Sequence, residues 1–275
     1  MLNSLIEMLS YAFLRRALIG GILLSICASL VGVSLVLRRN SLIGDGLSHV
    51  ALFGVALATV LGLSPIEFSI PVVLLFSFLI IKTNDSKFGG DTIIAIIASS
   101  SLALATFLVS INKGVNIDLN SYLFGSILAL TSKDLFLLLL LTIIVIIFYL
   151  CAYNKIFAIT FDSSFAKSIG INVNLYNFIF STLCSLVIVL GMRLTGSLLI
   201  SSLIIFPTLT SISIFKDFKS VIISSVIVSL ISFMIGLYLS YILSVPTGST
   251  IVIVSLILYL LALFYNNLVK LVYKK

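Results

Sequence analysis

The chain has 275 residues, of which 61% are hydrophobic and only 9% are charged, and its mean hydropathy is +1.33. Soluble domains carry about 25% charged residues, so this composition excludes a water-soluble globular protein and indicates a membrane protein. The formal net charge of +7 is explained by basic loops that set the topology and contact phospholipid, so no nucleic-acid partner is expected.

Repeated apolar runs predict an all-α polytopic membrane protein with about nine transmembrane helices, because about 20 helical residues cross the hydrocarbon core. The predicted spans are residues 17–37, 44–63, 66–81, 92–111, 135–153, 175–192, 196–215, 221–243 and 250–269. The third is short and contains Glu67 and Pro71. Residues 119–130 are apolar but only about half a span long, which favours a re-entrant or interfacial segment. Residues 1–13 are expected to lie along the membrane interface.

The distribution of basic residues predicts the orientation of these spans. Lys and Arg in short loops resist translocation, so the side richer in them is cytoplasmic. With nine spans and a cytoplasmic C-terminus, 11 of the 16 basic residues lie inside. They are Arg38, Arg39, Lys82, Lys87, Lys155, Lys167, Lys216, Lys219, Lys270, Lys274 and Lys275. Residues 1–275 are expected to form a single transmembrane domain, because no soluble stretch is long enough for another.

The second predicted span carries two ionisable residues, Asp45 and His49, four positions apart. On a helix this spacing places both side chains on one face, and a carboxylate with an imidazole suits zinc, manganese or ferrous iron. An ionisable group inside a membrane is costly, so it is usually functional or paired. The residues alone leave a structural role open, with Asp45 capping the helix start and His49 bonded to a nearby carbonyl.

The opposite face of the same span carries small residues. Gly54, Ala58 and Gly62 recur every four residues and predict a surface for close helix packing.

Asp45 and His49 are only two ligands, which do not complete a zinc site. A twofold-symmetric dimer would supply four ligands, an Asp and a His from each chain.

A second candidate site is the stretch FDSSFAKSIGI at residues 161–171, which predicts a short helix in a cytoplasmic loop. Asp162 is a plausible N-cap, and Gly170 is a suitable C-terminal stop. Phe165, Ala166 and Ile169 are expected to form one apolar face. From the residues alone, an ordinary loop helix is an equally good interpretation.

Five stretches of the sequence, in this order and spacing, resemble the permease subunits of ABC-type zinc and manganese importers. They are RRNSLIGDGLSHVALFGVALA at 38–58, SYLFGSIL at 121–128, FDSSFAKSIGI at 161–171, the run 191–211 that includes LTGSLLISSLIIFPTLTS, and LSVPTGSTIVIV at 243–254. The GDGLSH core is the most specific of these. The resemblance covers nearly the whole chain and implies a homodimeric permease in the cytoplasmic membrane of a prokaryote.

The resemblance also implies roles and partners. Asp45 and His49 match the residues that bind the transported Zn²⁺ or Mn²⁺ between two permease copies, and residues 162–170 match the coupling helix that docks into the ATP-binding subunit. The implied partners are a second copy, a cytosolic ATPase dimer and an extracytoplasmic metal-binding protein, with no permanently bound cofactor. The chain contains no GxxxxGK[ST] phosphate loop, so ATP hydrolysis is expected to belong to the partner and not to this chain.

Three other classes of protein are weighed against this interpretation. A gradient-driven secondary carrier normally has buried protonatable groups or broken helices in paired repeats, and neither is evident. An intramembrane metalloenzyme is disfavoured because the chain has one histidine and no HExxH motif. An ABC permease for an iron chelate or cobalamin would share the helical architecture, but such a bulky substrate does not account for Asp45 and His49.

Overall fold

The computed structural model describes residues 10–83, 90–112, 122–123, 125 and 130–273, and these residues are mainly helical. The helices, numbered here in chain order, are α1 Ala12–Leu37, α2 Ile43–Val60, α3 Pro65–Thr83, α4 Gly90–Ile111, α5 Ser132–Phe161, α6 Ser163–Ser168, α7 Val173–Thr195, α8 Ser197–Ile214, α9 Phe218–Leu243 and α10 Thr247–Tyr273.

The prediction of an all-helical polytopic membrane protein is confirmed. Each of the nine predicted spans has a helix at its position, and 7 of these helices are long and apolar enough to cross a membrane. The other two, α3 and α8, carry the shorter apolar stretches Pro65–Ile80 and Leu199–Ile214. The predicted re-entrant segment 119–130 and the interfacial segment 1–13 lie largely outside the described residues.

Helix α5 is much longer than its apolar run. The prediction ended the fifth span at residue 153, because Asn154 and Lys155 interrupt the hydrophobic sequence, but the helix continues to Phe161. No proline or glycine stops it, and Ile156 and Ile159 are buried on its inner side. The last two turns of α5 therefore carry the chain beyond the apolar run to α6.

Helix α1 is the central helix of the bundle and packs on α5, α7, α8 and α9. Buried polar side chains join it to α5. The thiol of Cys27 donates to Oγ1 of Thr142 at 3.2 Å, and the hydroxyls of Ser34 and Tyr149 lie 2.8 Å apart. In an apolar interior such bonds orient two helices as well as hold them together.

Helix α2, which carries Asp45 and His49, packs mainly on α3, α4, α7 and α8. A Cβ at Gly54 would lie 2.9 Å from Cα of Ser69, so this glycine lets α2 and α3 approach closely. Ala58 is also buried. Gly62, which the sequence placed on the same packing face, lies beyond the end of α2 with φ +69, and a Cβ built there would meet no described atom within 4 Å. It ends the helix, and the amide of Leu63 bonds to the carbonyl of Ala58 at 2.8 Å.

A half-buried ion pair joins two helices at the end of the bundle opposite α6. Nη1 of Arg193, near the end of α7, lies 2.6 Å from Oδ1 of Asp134 in the first turn of α5. Asp134 is buried and also forms a capping box with Thr131. The carboxylate therefore both starts α5 and ties it to α7.

Candidate metal-binding site and coupling helix

The first turns of α2 place Asp45 and His49 side by side. Helix α1 ends in a turn in which Arg39 has φ +60 and the amide of Asn40 bonds to the carbonyl of Leu35, and α2 begins three residues later. Nε2 of His49 then lies 3.8 Å from Oδ2 of Asp45. That distance is too long for a hydrogen bond, so the two side chains face each other without bonding directly.

The structure gives no support to the purely structural roles of these two residues. The N-cap position of α2 is Leu42 and no side chain caps this helix, so Asp45 does not act as a cap. Nδ1 of His49 is buried and has no hydrogen-bond partner within the described part of the chain. Buried polar groups normally have a partner, so this imidazole nitrogen is left for a partner that the described residues do not supply.

Asp45 and His49 begin a stripe along α2 that this chain leaves partly uncovered. The Asp45 side chain is 45% exposed and that of His49 is 12% exposed. Phe53 and Leu57 continue the stripe at intervals of four and are partly exposed, whereas their neighbours on α2 are mostly buried. Sequence reasoning did not single out these two residues, although their spacing from Asp45 is the signal that identifies them.

The described residues of one chain do not form a complete metal site. Within the ranges that the structure describes, no three His, Cys, Asp or Glu side chains are grouped closely enough to hold a metal ion. Asp45 and His49 are thus two candidate ligands on a partly exposed face.

The predicted short helix at residues 162–170 is present as α6. Asp162 caps it, and its Oδ1 accepts from the amides of Ser164 and Phe165, each at 2.9 Å. Gly170 has φ +84 and ends the helix, with the amide of Ile171 bonded to the carbonyl of Ala166 at 3.0 Å.

The prediction that Phe165, Ala166 and Ile169 form one apolar face of α6 is wrong. Ala166 is fully buried in a cluster with Ile159 of α5 and Val173 of α7, whereas Phe165 and Ile169 are 56% and 54% exposed. Successive residues of an α-helix point about 100° apart around its axis, so Phe165 and Ala166 face different directions. Ala166 therefore holds α6 against its own bundle, and Phe165 and Ile169 project away from it.

The fold and these residues define a polytopic helical permease with a short exposed helix at one end. The sequence matches the ABC 3 transport family over residues 10–266, and the chain belongs to this family. The resemblance to ABC-type zinc and manganese permeases is thereby confirmed.

Individual relatives span almost the whole chain. This chain is 35% identical over 256 residues to the manganese import system permease protein ScaB of Streptococcus gordonii, and the match covers 92% of this chain and 91% of ScaB. It is 33% identical over 255 residues to the high-affinity zinc uptake system membrane protein ZnuB of Haemophilus influenzae, covering 92% and 98%. The solved structure of PsaBC from Streptococcus pneumoniae in complex with Fab shares 33% identity and a TM-score of 0.84, covering 95% of each chain.

Proposed function

We propose that this chain is the membrane permease subunit of an ATP-binding-cassette importer that carries a divalent transition metal, zinc first and manganese second, into the cell. The observation that carries the proposal is the pair of Asp45 and His49 at the uncovered start of α2, with an imidazole nitrogen that has no partner among the described residues. Family membership and the names of ScaB and ZnuB support it.

The spacing of the two side chains suits one cation as cargo. Ligand atoms about 2.0–2.2 Å from a tetrahedral metal lie about 3.4 Å from each other. Nε2 of His49 and Oδ2 of Asp45 lie 3.8 Å apart, so a small side-chain rotation lets both atoms bind the same ion. Imidazole favours zinc and the carboxylate suits either metal.

Two copies of the chain complete the site. A twofold axis beside the uncovered stripe of α2 would bring two Asp45 and two His49 side chains together, which gives four ligands. The apolar continuation of the stripe, Phe53 and Leu57, would then pack against the second copy. Such a dimer accounts for a face that is apolar, partly exposed and in line with the two ligands.

The energy for transport comes from a partner that docks on α6. Phe165 and Ile169 offer exposed apolar side chains to a cytosolic ATPase dimer, and Ala166 fastens the helix to α5 and α7. A movement of the ATPase would pass through this buried contact into the bundle. Residues 162–170 are thus the coupling helix of a single permease domain, and the chain itself does not hydrolyse ATP.

The orientation given by the basic residues places the remaining components that the family resemblance implies. Helix α6 and the C-terminus face the cytoplasm, nine helices span the membrane of a prokaryote, and an extracytoplasmic metal-binding protein delivers the ion from the other side. No permanently bound cofactor is required. A secondary carrier or a permease for an iron chelate or cobalamin accounts less well for the Asp45 and His49 pair.

The test is metal uptake by the assembled complex. Permease, ATPase and binding protein are reconstituted in liposomes, and radioactive zinc and manganese uptake is measured. Asp45→Asn removes two negative charges per dimer and His49→Ala removes two nitrogen ligands, so both variants should lose uptake. Zinc uptake should suffer more than manganese uptake from His49→Ala. The matched control is Asp91→Asn, which removes an exposed carboxylate from the first turn of α4.

Each variant is first checked for dimer integrity by size-exclusion chromatography and for basal ATPase activity, both of which should stay normal. Wild-type uptake by His49→Ala would overturn the metal-site proposal. Equal loss of uptake in Asp91→Asn would show that general surface charge, and not the α2 pair, controls transport.

A further inference from the structure

A polar cavity of about 600 Å³ lies between α6 and the adjacent ends of α1, α5 and α7. It is separate from the Asp45 and His49 pair, which does not line it. Its polar wall is formed by Arg38, Asn40, Thr160, Lys167, Asn174 and Asn177.

Arg38 brings a positive charge into this wall, and no carboxylate of the described residues pairs with it. Its Nη1 donates to Oδ1 of Asn177 at 3.0 Å, and its guanidinium lies 5.2 Å from the centre of the Phe180 ring. Its Nε is buried and has no partner among the described residues. The three ion pairs in the described part of the chain join other side chains. A partly buried guanidinium that meets only neutral groups is costly, because its desolvation is not offset.

Thr160 adds a second unsatisfied group on the same wall. It is only 7% exposed, and its Oγ1 has no hydrogen-bond partner in the described residues. Lys167 of α6 contributes another cation at the exposed rim. No described aspartate or glutamate lines the cavity. Water could bond to Thr160, but it would not neutralise Arg38 and Lys167.

We infer that this cavity binds a phosphate group, either free phosphate or the headgroup of an anionic phospholipid. Two cations, a hydroxyl and several amide groups line the cavity. They offer more hydrogen-bond donors than the two oxygens of a carboxylate could accept, so a phosphate with more oxygens fits better. Arginine forms paired, charge-assisted hydrogen bonds with phosphate oxygens. Basic cavities between helices at the cytoplasmic surface are typical binding sites for lipid phosphates.

A bound phosphate would connect two parts of the protein that are distant in sequence. Lys167 belongs to α6, and Arg38 lies at the end of α1, joined by a short turn to the start of α2. An anion held by both would tie the coupling helix to the segment that positions Asp45. The cytoplasmic location rests on the proposed orientation, whereas the binding itself does not depend on transport.

The test uses the purified permease–ATPase complex in detergent after delipidation. One arm adds phosphatidylglycerol or phosphatidylcholine and counts the lipids retained by native mass spectrometry. The other arm compares thermal unfolding in sodium phosphate and in sodium chloride at equal ionic strength. We expect retention of phosphatidylglycerol but not phosphatidylcholine, or a melting temperature several degrees higher in phosphate.

Three variants locate the effect. Arg38→Gln should weaken binding at least tenfold, and Lys167→Gln, which changes only an exposed side chain, should weaken it several-fold. Lys216→Gln removes an exposed cation outside the cavity and should bind as the wild type does.

The two arms identify the source of the phosphate. A response to sodium phosphate alone indicates the free anion, and selective retention of phosphatidylglycerol indicates the lipid. No response in either arm would overturn the inference. So would an equal loss in Lys167→Gln and Lys216→Gln, which would mean that general surface charge attracts the anion.

Discussion

Replacing Phe165 by alanine tests the proposed docking of the ATPase on α6. The side chain is 56% exposed. A phenylalanine that buries about 200 Å² in a protein therefore has about 110 Å² available for a partner. At about 25 cal/mol per Å², and allowing for the methyl group that alanine keeps, docking should weaken by about 2 kcal/mol at each α6. This corresponds to a roughly 30-fold weaker association at each contact.

The assay is titration of the purified ATPase onto the permease in nanodiscs, together with transport-coupled ATP hydrolysis. Phe165→Ala should raise the dissociation constant and reduce uptake, while the melting temperature of the permease alone stays unchanged. Phe136→Ala is the matched control, because Phe136 is 64% exposed near the opposite end of α5. Wild-type affinity and uptake in Phe165→Ala would refute the assignment of α6 as the docking element.

Ala166 should behave differently from its neighbour. It is fully buried against Ile159 and Val173, so Ala166→Asp places a charge inside the permease itself. We expect this variant to lower the melting temperature of the permease without any ATPase present. A normal melting temperature would mean that Ala166 does not hold α6 to the bundle.

Three further predictions concern topology and stability. In a background that lacks the native cysteines, Ser164→Cys should react with impermeant reagents only from the cytoplasmic side and Ser64→Cys only from the outside; labelling of Ser164→Cys in intact cells would reverse the proposed orientation. Gly54→Leu should destabilise the permease by about 1–3 kcal/mol in thermal unfolding, because α2 and α3 must separate, and an unchanged melting temperature would argue against that close contact. Arg193→Met should cost about 2 kcal/mol, below the figure for a fully buried pair, and adding Asp134→Asn should recover part of the loss; additive losses would mean that the ion pair is not a coupled unit.

The features that sequence predicted well depend on local chemistry. The apolar runs identify the helices, because a lipid environment requires each segment to satisfy its own backbone hydrogen bonds. The cap at Asp162 and the stop at Gly170 were predicted from residue type, because each acts within a few residues of its own position. The facing of Asp45 and His49 follows from their four-residue spacing alone.

The features that sequence missed depend on residues far apart in the chain. The end of α5 was predicted too early, because burial of Ile156 and Ile159 by other parts of the bundle supports helical turns outside the apolar run. Gly62 was expected to pack between helices but lies in the turn after α2, since composition does not reveal where a helix stops within a run of small and apolar residues.

The sequence by itself determined the class of protein, the helical segments and the pairing of Asp45 with His49, because these follow from solvent, length and helical period. Only the tertiary structure decided which way Ala166 faces and that Arg38 is partly buried with no carboxylate of the described residues beside it. Burial is a property of what surrounds a side chain, and in this bundle the surroundings come from helices that are distant in sequence.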